Sequence, residues 1–480
     1  MLDKVVGEHR TRTAIVDQDR ILSYEELGAE VAQLARRLHH LGIRKGDRLA
    51  LFIPNGADFV IGYFAAAYVG AIIVPLNHGY QKSELQHFIE ITGSSVLLTC
   101  RGLGALSKEV TSGLTKPCRL VVVEEREAAP SLSRVEVDPD SPAMYQFSSG
   151  STGTPKRIAR THAQLITELD SLASALTLTA EDRFLGVAPF SHVNGLMRTM
   201  LSSIRAGAAL YTLAEYERRA VAGAIEKHRL TVFIGIPFMF IMLVKSNFRT
   251  PPDLSSLRVC ISASAAMPAK YNREFHSRFG FYVRQLYGST ETGSISVNLD
   301  PDIENSLDSI GRPLPGVEIR LVDDKGEPVA GASLAELAIR SSYAITSYDG
   351  LPDQSSFKDG YFLSGDLGTK ESAGRFYLAG RKKFFINRGG YKIDPREVEE
   401  LLESHPAVEE AIAVGLPTPF GDEKVKAVVV PRSACTEEEL VLFCKGKIAD
   451  FKIPSLVEFR DALPKTPTGK VLRRMLIESR

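Results

Sequence analysis

The chain reads as an α/β protein: a large N-terminal domain of mainly parallel sheets flanked by helices, carrying an antiparallel β subdomain, plus a small α+β C-terminal domain. Three observations predict this. Helical and strand patterns alternate from Ser23 to about Ser262, turn-bounded strands of alternating polarity take over after about Asp300, and a fresh α+β set follows Arg381-Lys382-Lys383.

The elements follow in order. Ser23 and Glu26 form a capping box for a helix whose Leu27, Val31, Leu34 and Leu38 share one face, and Gly42 marks its end. Arg48 to Ile53 is a short apolar strand ended by the turn Pro54-Asn55-Gly56, and a helix and strand at 59–76 repeat the pattern. Further strands are expected at 96–99, 120–123, 184–188, 231–236 and 258–262, which is the βαβ rhythm of a parallel sheet. Segments 317–329 and 335–342 alternate apolar and polar residues and read as antiparallel strands. Beyond 383, Asp394 caps a helix with Pro395 at its first turn, strands fall at 411–414, 426–430 and 456–459, and Thr436 starts another helix. The expected division is an N-terminal domain over 1–380, a hinge at 381–383 and a C-terminal domain over 384–480.

Composition excludes several classes. At 480 residues the chain exceeds one ordinary core of ~150 residues. Its 44% hydrophobic and 24% charged residues, with a mean hydropathy of −0.04, are globular rather than disordered or fibrous. Lys plus Arg and Asp plus Glu balance at 58 each, so no overall field draws it to nucleic acid or an anionic membrane. The five cysteines are odd in number, widely spaced and without a C-x-x-C, which argues against disulfides or structural zinc and favours the cytoplasm. Charges in MLDKVVGEHRTRT oppose a signal peptide. Phe59 to Leu76 lacks charge, but Gly70 and Pro75 interrupt it, so a buried helix and strand are expected rather than a membrane span.

Residues 147–156, FSSGSTGTPK, carry the chemistry most plainly. Hydroxyls, glycines that let backbone N–H groups turn inward and a closing lysine suit a phosphate cradle. It is not a Walker A loop, because Pro155 stands where that motif needs glycine. This loop resembles the phosphate-binding motif of the adenylate-forming superfamily of acyl-CoA synthetases, adenylation domains and luciferases, and more of that family's motifs follow in order. Pro189 to Gly195 (PFSHVNG) is similar to its acyl-pocket motif, Tyr287-Gly288-Ser289-Thr290-Glu291 to its Y-G-x-T-E motif, and Ser364-Gly365-Asp366 to its [TS]-G-D motif. Gly380 to Lys383 resembles its hinge, Asn387 to Ile393 its glycine loop, and Pro464 to Arg473 its terminal P-x-T-x-x-G-K motif.

The resemblance implies a carboxylic acid:CoA ligase that uses ATP, Mg²⁺ and coenzyme A. Because a carboxylate must attack the α-phosphate, catalysis rests on neutralising and positioning charge. The implied ATP/AMP-binding residues are Ser148, Ser149, Gly150, Ser151, Thr152, Gly153, Thr154, Lys156, Ser264, Tyr287, Gly288, Ser289, Thr290, Asp366, Arg381 and Lys470. Tyr287 would face adenine, Asp366 would hold the ribose hydroxyls with Arg381 nearby, and Thr290 would lie at the α-phosphate. Glu291 is the implied Mg²⁺ ligand, and Lys470, Thr290, Glu291 and His192 form the catalytic set. His192, Val193, Phe238, Ala263 and Gly288 are expected to line the acyl pocket, with Met239 and Phe240 adding apolar surface. The family's C-terminal domain rotates, so this one is expected to be mobile about Lys383, withdrawing Lys470 and presenting Gly389 and Gly390 along a thiol channel.

Some positions depart from the family pattern. Ser262 to Pro268 reads SASAAMP where a glycine-bearing form is usual, Arg157 follows the loop lysine, and Tyr348 falls near a G-Y-W element in a chain without tryptophan. No Asp lies between Phe190 and Phe240 to pair an amino-acid ammonium, so a simple carboxylic acid, aryl or medium-chain, is expected. The alternative acceptor is the phosphopantetheine arm of an acyl or peptidyl carrier protein. The expected assembly is a monomer or homodimer with no nucleic-acid partner and no membrane span.

Overall fold

The structure is a computed structural model. It describes residues 1–125, 130, 132, 135–148, 156–323, 325–329, 334–351, 354–381, 386–393, 395–419, 421–464, 471 and 473–477. Side chains at 148, 379–381, 392, 396 and 474 also fall outside the description.

A six-stranded sheet runs in the order Arg119–Val122, Val96–Thr99, Arg48–Phe52, Ile72–Pro75, Pro142–Ser148, Lys156–Thr161. All its pairings are parallel except the last. The uncharged stretch from Phe59 folds as the helix Ala57–Tyr68 and the strand Ile72–Pro75, joined through Gly70 at φ +75° and packed in the core. Among the described residues no helix is long and apolar enough to cross a membrane.

The larger sheet has fourteen strands and is composite. Strands Arg183–Gly186, Val232–Gly235, Val259–Ser262 and Arg284–Ser289 are adjacent and parallel. From Gly293–Val297 onward the pairings become antiparallel and continue through Ser309–Pro313, Phe376–Arg381, Tyr361–Lys370, Ala335–Ser341 and Val317–Val322. The change of texture expected near Asp300 is this change of pairing.

The C-terminal segment builds its own core. Strands Val408–Pro417, Glu423–Pro431 and Leu456–Phe459 form one sheet, against which Val398, Leu402 and Leu440 of helices Pro395–Glu403 and Glu437–Cys444 are buried. Thr436 and Glu439 form the capping box of the second helix. Asp394, expected to cap the first, lies outside the described residues.

Candidate active site

The motif segments meet at one end of the four adjacent parallel strands. The strand ending at Gly186 leads into Pro189 to Gly195, that ending at Gly235 into Ile236 and Pro237, and that ending at Ser262 into Ala263 and Ser264; the fourth carries Tyr287 to Ser289 itself. Open α/β sheets leave their ligand crevice at the carboxyl ends of parallel strands. A cavity of about 480 Å³ lined by Met1, Tyr63, Phe64 and Leu165 contains none of the motif residues and lies outside this crevice's lining.

Each strand end has a local cause. After Pro189 the chain enters a π-helix, Asn194–Leu201, with every residue buried. A Cβ on Gly195 would lie 2.3 Å from the carbonyl oxygens of Ala188 and Pro189, so only glycine fits this entry. His192 is half-buried at that turn, and the Asn194 N–H approaches its Nδ1 at 3.4 Å. Ser264 stands at φ +73°, where the family pattern carries glycine.

Tyr287 and Asp366 come together. The Tyr287 hydroxyl donates to Asp366 Oδ2 at 2.6 Å, and the buried Asp366 is the cross-strand partner of Arg381. Arg381's side chain lies outside the described residues. Thr290 and Glu291 occupy the turn after Ser289, whose hydroxyl accepts from the Thr292 N–H at 3.2 Å.

A second link joins the phosphate loop to Glu291. Ser148 and Lys156 are cross-strand partners at the ends of two antiparallel strands. Ser149, Gly150, Ser151, Thr152, Gly153 and Thr154, between them in sequence, lie outside the described residues, as do Lys383 and Lys470. Lys156 is buried, with Nζ 4.3 Å from the ring centroid of Tyr348, and the Tyr348 hydroxyl lies 3.3 Å from Glu291 Oε1. One aromatic side chain thus touches both the loop lysine and the acid. Sequence reading noted Tyr348 only as a departure; a lone Tyr between Ser347 and Asp349 shows nothing of its two partners.

Among the described residues no group of three His, Cys, Asp or Glu could hold a metal by itself. A buried carboxylate at 291 would fit Mg²⁺, which takes one or two protein carboxylates plus phosphate oxygens.

The residues expected to line an apolar pocket sit deep. Phe240 is fully buried and packs on Phe233 and Phe275 at 4.8 and 5.8 Å, and Met239 joins the same cluster. Phe238 is partly buried and meets Tyr216 edge-on at 5.8 Å. Val193 and Ala263 pack in the main core, while Gly288 is half-buried at its strand end. Polar groups lie close by: Asn194 Nδ2 donates to the Gly235 carbonyl at 3.3 Å, and Gly235 pairs with Ser262. Asn194 Oδ1 and Ser262 Oγ are buried with no partner among the described residues.

The C-terminal domain packs over this crevice. Gly389 and Gly390, at φ +58° and +82°, turn the hairpin Ile386–Arg388/Tyr391–Ile393, and Asp422 accepts from the Gly389 N–H. A Cβ on Gly390 would lie 3.0 Å from Ile236 Cγ2, and one on Gly421 2.7 Å from Pro268. Lys452 donates to Glu397 at 2.7 Å and across the interface to Glu84 at 2.8 Å. Burial opposes its charge, but Glu397, Tyr80 and Glu84 outweigh that and hold its pKa above the usual lysine value. Sequence reading missed this contact, because a lysine is ordinarily exposed.

Comparison with known proteins bears on the fold and the family. The family model "AMP-binding enzyme" matches residues 2–348, and "AMP-binding enzyme C-terminal domain" matches 397–470. A feruloyl-CoA synthase from Amycolatopsis is 32% identical over 96% of this chain and 94% of its own. A long-chain-fatty-acid–CoA ligase from Bacillus subtilis is 30% identical over 97% and 91%. The o-succinylbenzoate CoA synthetase of Bacillus subtilis, bound with a CoA product analogue, superposes with TM-score 0.91 at 28% identity, covering 100% of this chain and 98% of that one. The same synthetase in complex with AMP, at equal coverage and 29% identity, reaches 0.75. The chain belongs to the AMP-binding enzyme family and, within the adenylate-forming superfamily, is an AMP-forming ligase most like the carboxylic acid:CoA ligases.

Proposed function

We propose that the protein activates a carboxylic acid with ATP and then passes the acyl group to coenzyme A through the residues assembled at these strand ends. The observation that carries the assignment is the Lys156, Tyr348, Glu291 cluster, which joins the phosphate-loop lysine to the Y-G-x-T-E turn. In this reading Ser148 to Lys156 grip the β- and γ-phosphates, Glu291 holds Mg²⁺, and Thr290 meets the α-phosphate. Tyr287 with Ser264, Gly288 and Ser289 cradles adenine, and Asp366 with Arg381 holds the ribose. His192, Val193, Phe238, Ala263 and Gly288 surround the acyl group.

Lys470 supplies the mobile cation that bridges the carboxylate and ATP. It belongs to a domain of residues 384–480 that turns about Lys383 from a body of residues 1–380. The packing of Gly390 on Ile236 and the better superposition on the CoA-analogue complex support the present arrangement as the thioester-forming one, with Gly389 and Gly390 beside the thiol channel. The five cysteines are free, which fits the reducing cytoplasm, and the assembly in this reading is a monomer or homodimer.

The test uses the full chain and Lys470→Ala. Pyrophosphate release should fall by about 10²–10³, while thioester formation from supplied acyl-adenylate should persist. Equal loss in both steps would sink the two-arrangement scheme. Running CoA against holo-carrier proteins decides the acceptor.

A further inference from the structure

The core beneath the Y-G-x-T-E strand holds more positive than negative charge. Arg160 and Glu168 form a fully buried pair at 2.8 Å. The other oxygen of Glu168 accepts from the Ser294 N–H and hydroxyl at 2.8 and 2.9 Å, so both oxygens are engaged. Arg198, on the π-helix, is 2% exposed, and its Nε donates to Ser294 Oγ at 3.0 Å. No carboxylate of a described residue lies in ion-pair contact with it. The neighbourhood therefore has two buried guanidiniums and one buried carboxylate.

Burial lowers the Arg198 pKa to about 10, with Glu168 and Tyr343 opposing that shift, so the group stays cationic at neutral pH. A buried cation without an anion is costly, and such groups persist where a partner arrives. The position of this guanidinium says where that partner would sit. A Cβ on Gly288 would lie 2.2 Å from the Gly293 carbonyl oxygen and 2.4 Å from Arg198 Nη2, so the fork is pressed against a residue at the half-open strand end. Nη1 and Nη2 make no hydrogen bond with a described residue. Asn194 Oδ1 and Ser262 Oγ, flanking Gly235, are buried and equally unpartnered. Three unsatisfied polar side chains are the opposite of what a plain hydrocarbon tail needs.

We propose that Arg198 is a specificity-determining residue that receives the second carboxylate of a dicarboxylic acid, whose first carboxylate is the one adenylated. A planar guanidinium pairs a carboxylate in two parallel hydrogen bonds, which suits recognition of a fixed far end. This rests on the acid-activating reading of the same crevice and names its substrate class.

The experiment measures pyrophosphate release by the full-length protein, wild type, Arg198→Met and Arg198→Lys. Dicarboxylic acids of two to eight carbons and aromatic dicarboxylic acids are set against monocarboxylic acids of matched length and ring. The wild type is expected to favour one dicarboxylic acid over its monocarboxylic match by about 100-fold or more in kcat/KM. That ratio should collapse toward one in Arg198→Met and lie between in Arg198→Lys. A wild type that prefers the monocarboxylic member, or a ratio that Arg198→Met leaves unchanged while both activities fall, would overturn the proposal. Thermal melting with and without the preferred diacid gives a readout independent of turnover: the wild-type midpoint should rise with ligand and the Arg198→Met midpoint should not. Pyrophosphate released with no acid of either kind would overturn the acid-activating reading itself, and the role of Arg198 with it; release with monocarboxylic acids only would overturn the role of Arg198 alone.

Discussion

The hydroxyl of Tyr287 donates to Asp366 across 79 residues of sequence at 2.6 Å, tying the end of a parallel strand to the antiparallel sheet. The proposed adenine and ribose contacts are thereby fixed relative to each other before nucleotide arrives. A hydrogen bond to a charged group is worth about 1.5–3 kcal/mol. Tyr287→Phe keeps the aromatic face but removes this one hydrogen bond to Asp366, so KM for ATP should rise about ten-fold with kcat nearly unchanged. Steady-state kinetics with saturating acid checks this, and a fall in kcat at constant KM would place Tyr287 in the chemical step instead.

Tyr348 offers a graded test. Tyr348→Phe preserves the ring beneath Lys156 and removes only the hydroxyl beside Glu291, whereas Tyr348→Leu removes both. A desolvated cation–π contact is worth about 2 kcal/mol or more. The Phe variant should therefore shift mainly the Mg²⁺ concentration needed for half-maximal pyrophosphate exchange, and the Leu variant should lose a further ten-fold or more in exchange rate. Identical losses in the two variants would show that the ring contributes nothing to holding Lys156.

Much of this organisation is legible in the sequence, and the limits have physical causes. The strands Val96–Thr99 and Leu456–Phe459 match their expected spans, because short apolar runs bounded by turn residues have one easy reading. Tyr287 meets Asp366, and Lys156 meets Glu291 through Tyr348, because the sheet topology brings strands distant in sequence side by side. Side-chain direction is a different matter. Phe240 is the fourth residue of the apolar helix Pro237–Val244, and its pattern cannot distinguish a core face from a crevice wall. The run Leu196 to Leu201 reads as helix but not as π-helix, so nothing in it announces that Arg198 is buried.

Ser264 holds a left-handed backbone with a side chain, a conformation that costs a non-glycine residue about 1–2 kcal/mol. Ser264→Gly relieves that strain while adding some unfolded-state freedom. The net expectation is a rise of about 1–3 °C in melting temperature, and Ser264→Val should lower it by more. Differential scanning calorimetry decides, and a Gly variant that melts below wild type would mean the serine side chain contributes more than its backbone costs.

The contact between Lys452 and Glu84 is the sharpest handle on domain arrangement. Glu84 does two jobs: Oε2 accepts from the Gln81 N–H at 3.1 Å as part of a helix cap, and Oε1 accepts from Lys452 at 2.8 Å. Ser83 adds a hydrogen bond to the Lys447 carbonyl at 3.0 Å, so the start of this helix is a docking point for the C-terminal domain. Glu84→Gln can keep the cap while removing the charge. Lys452 retains Glu397, so the loss is smaller than for a fully broken buried pair, about 1–2 kcal/mol. If the present packing is the thioester-forming one, that loss falls on this arrangement alone. Thioester formation from preformed acyl-adenylate should slow by about ten-fold, while pyrophosphate exchange holds or rises. Gly390→Ala should act in the same direction, since a Cβ there meets Ile236 and sits at φ +82°. Single-turnover measurements of the two half-reactions separate these outcomes. An equal slowing of both would mean that Glu84 supports the fold and not the choice between arrangements.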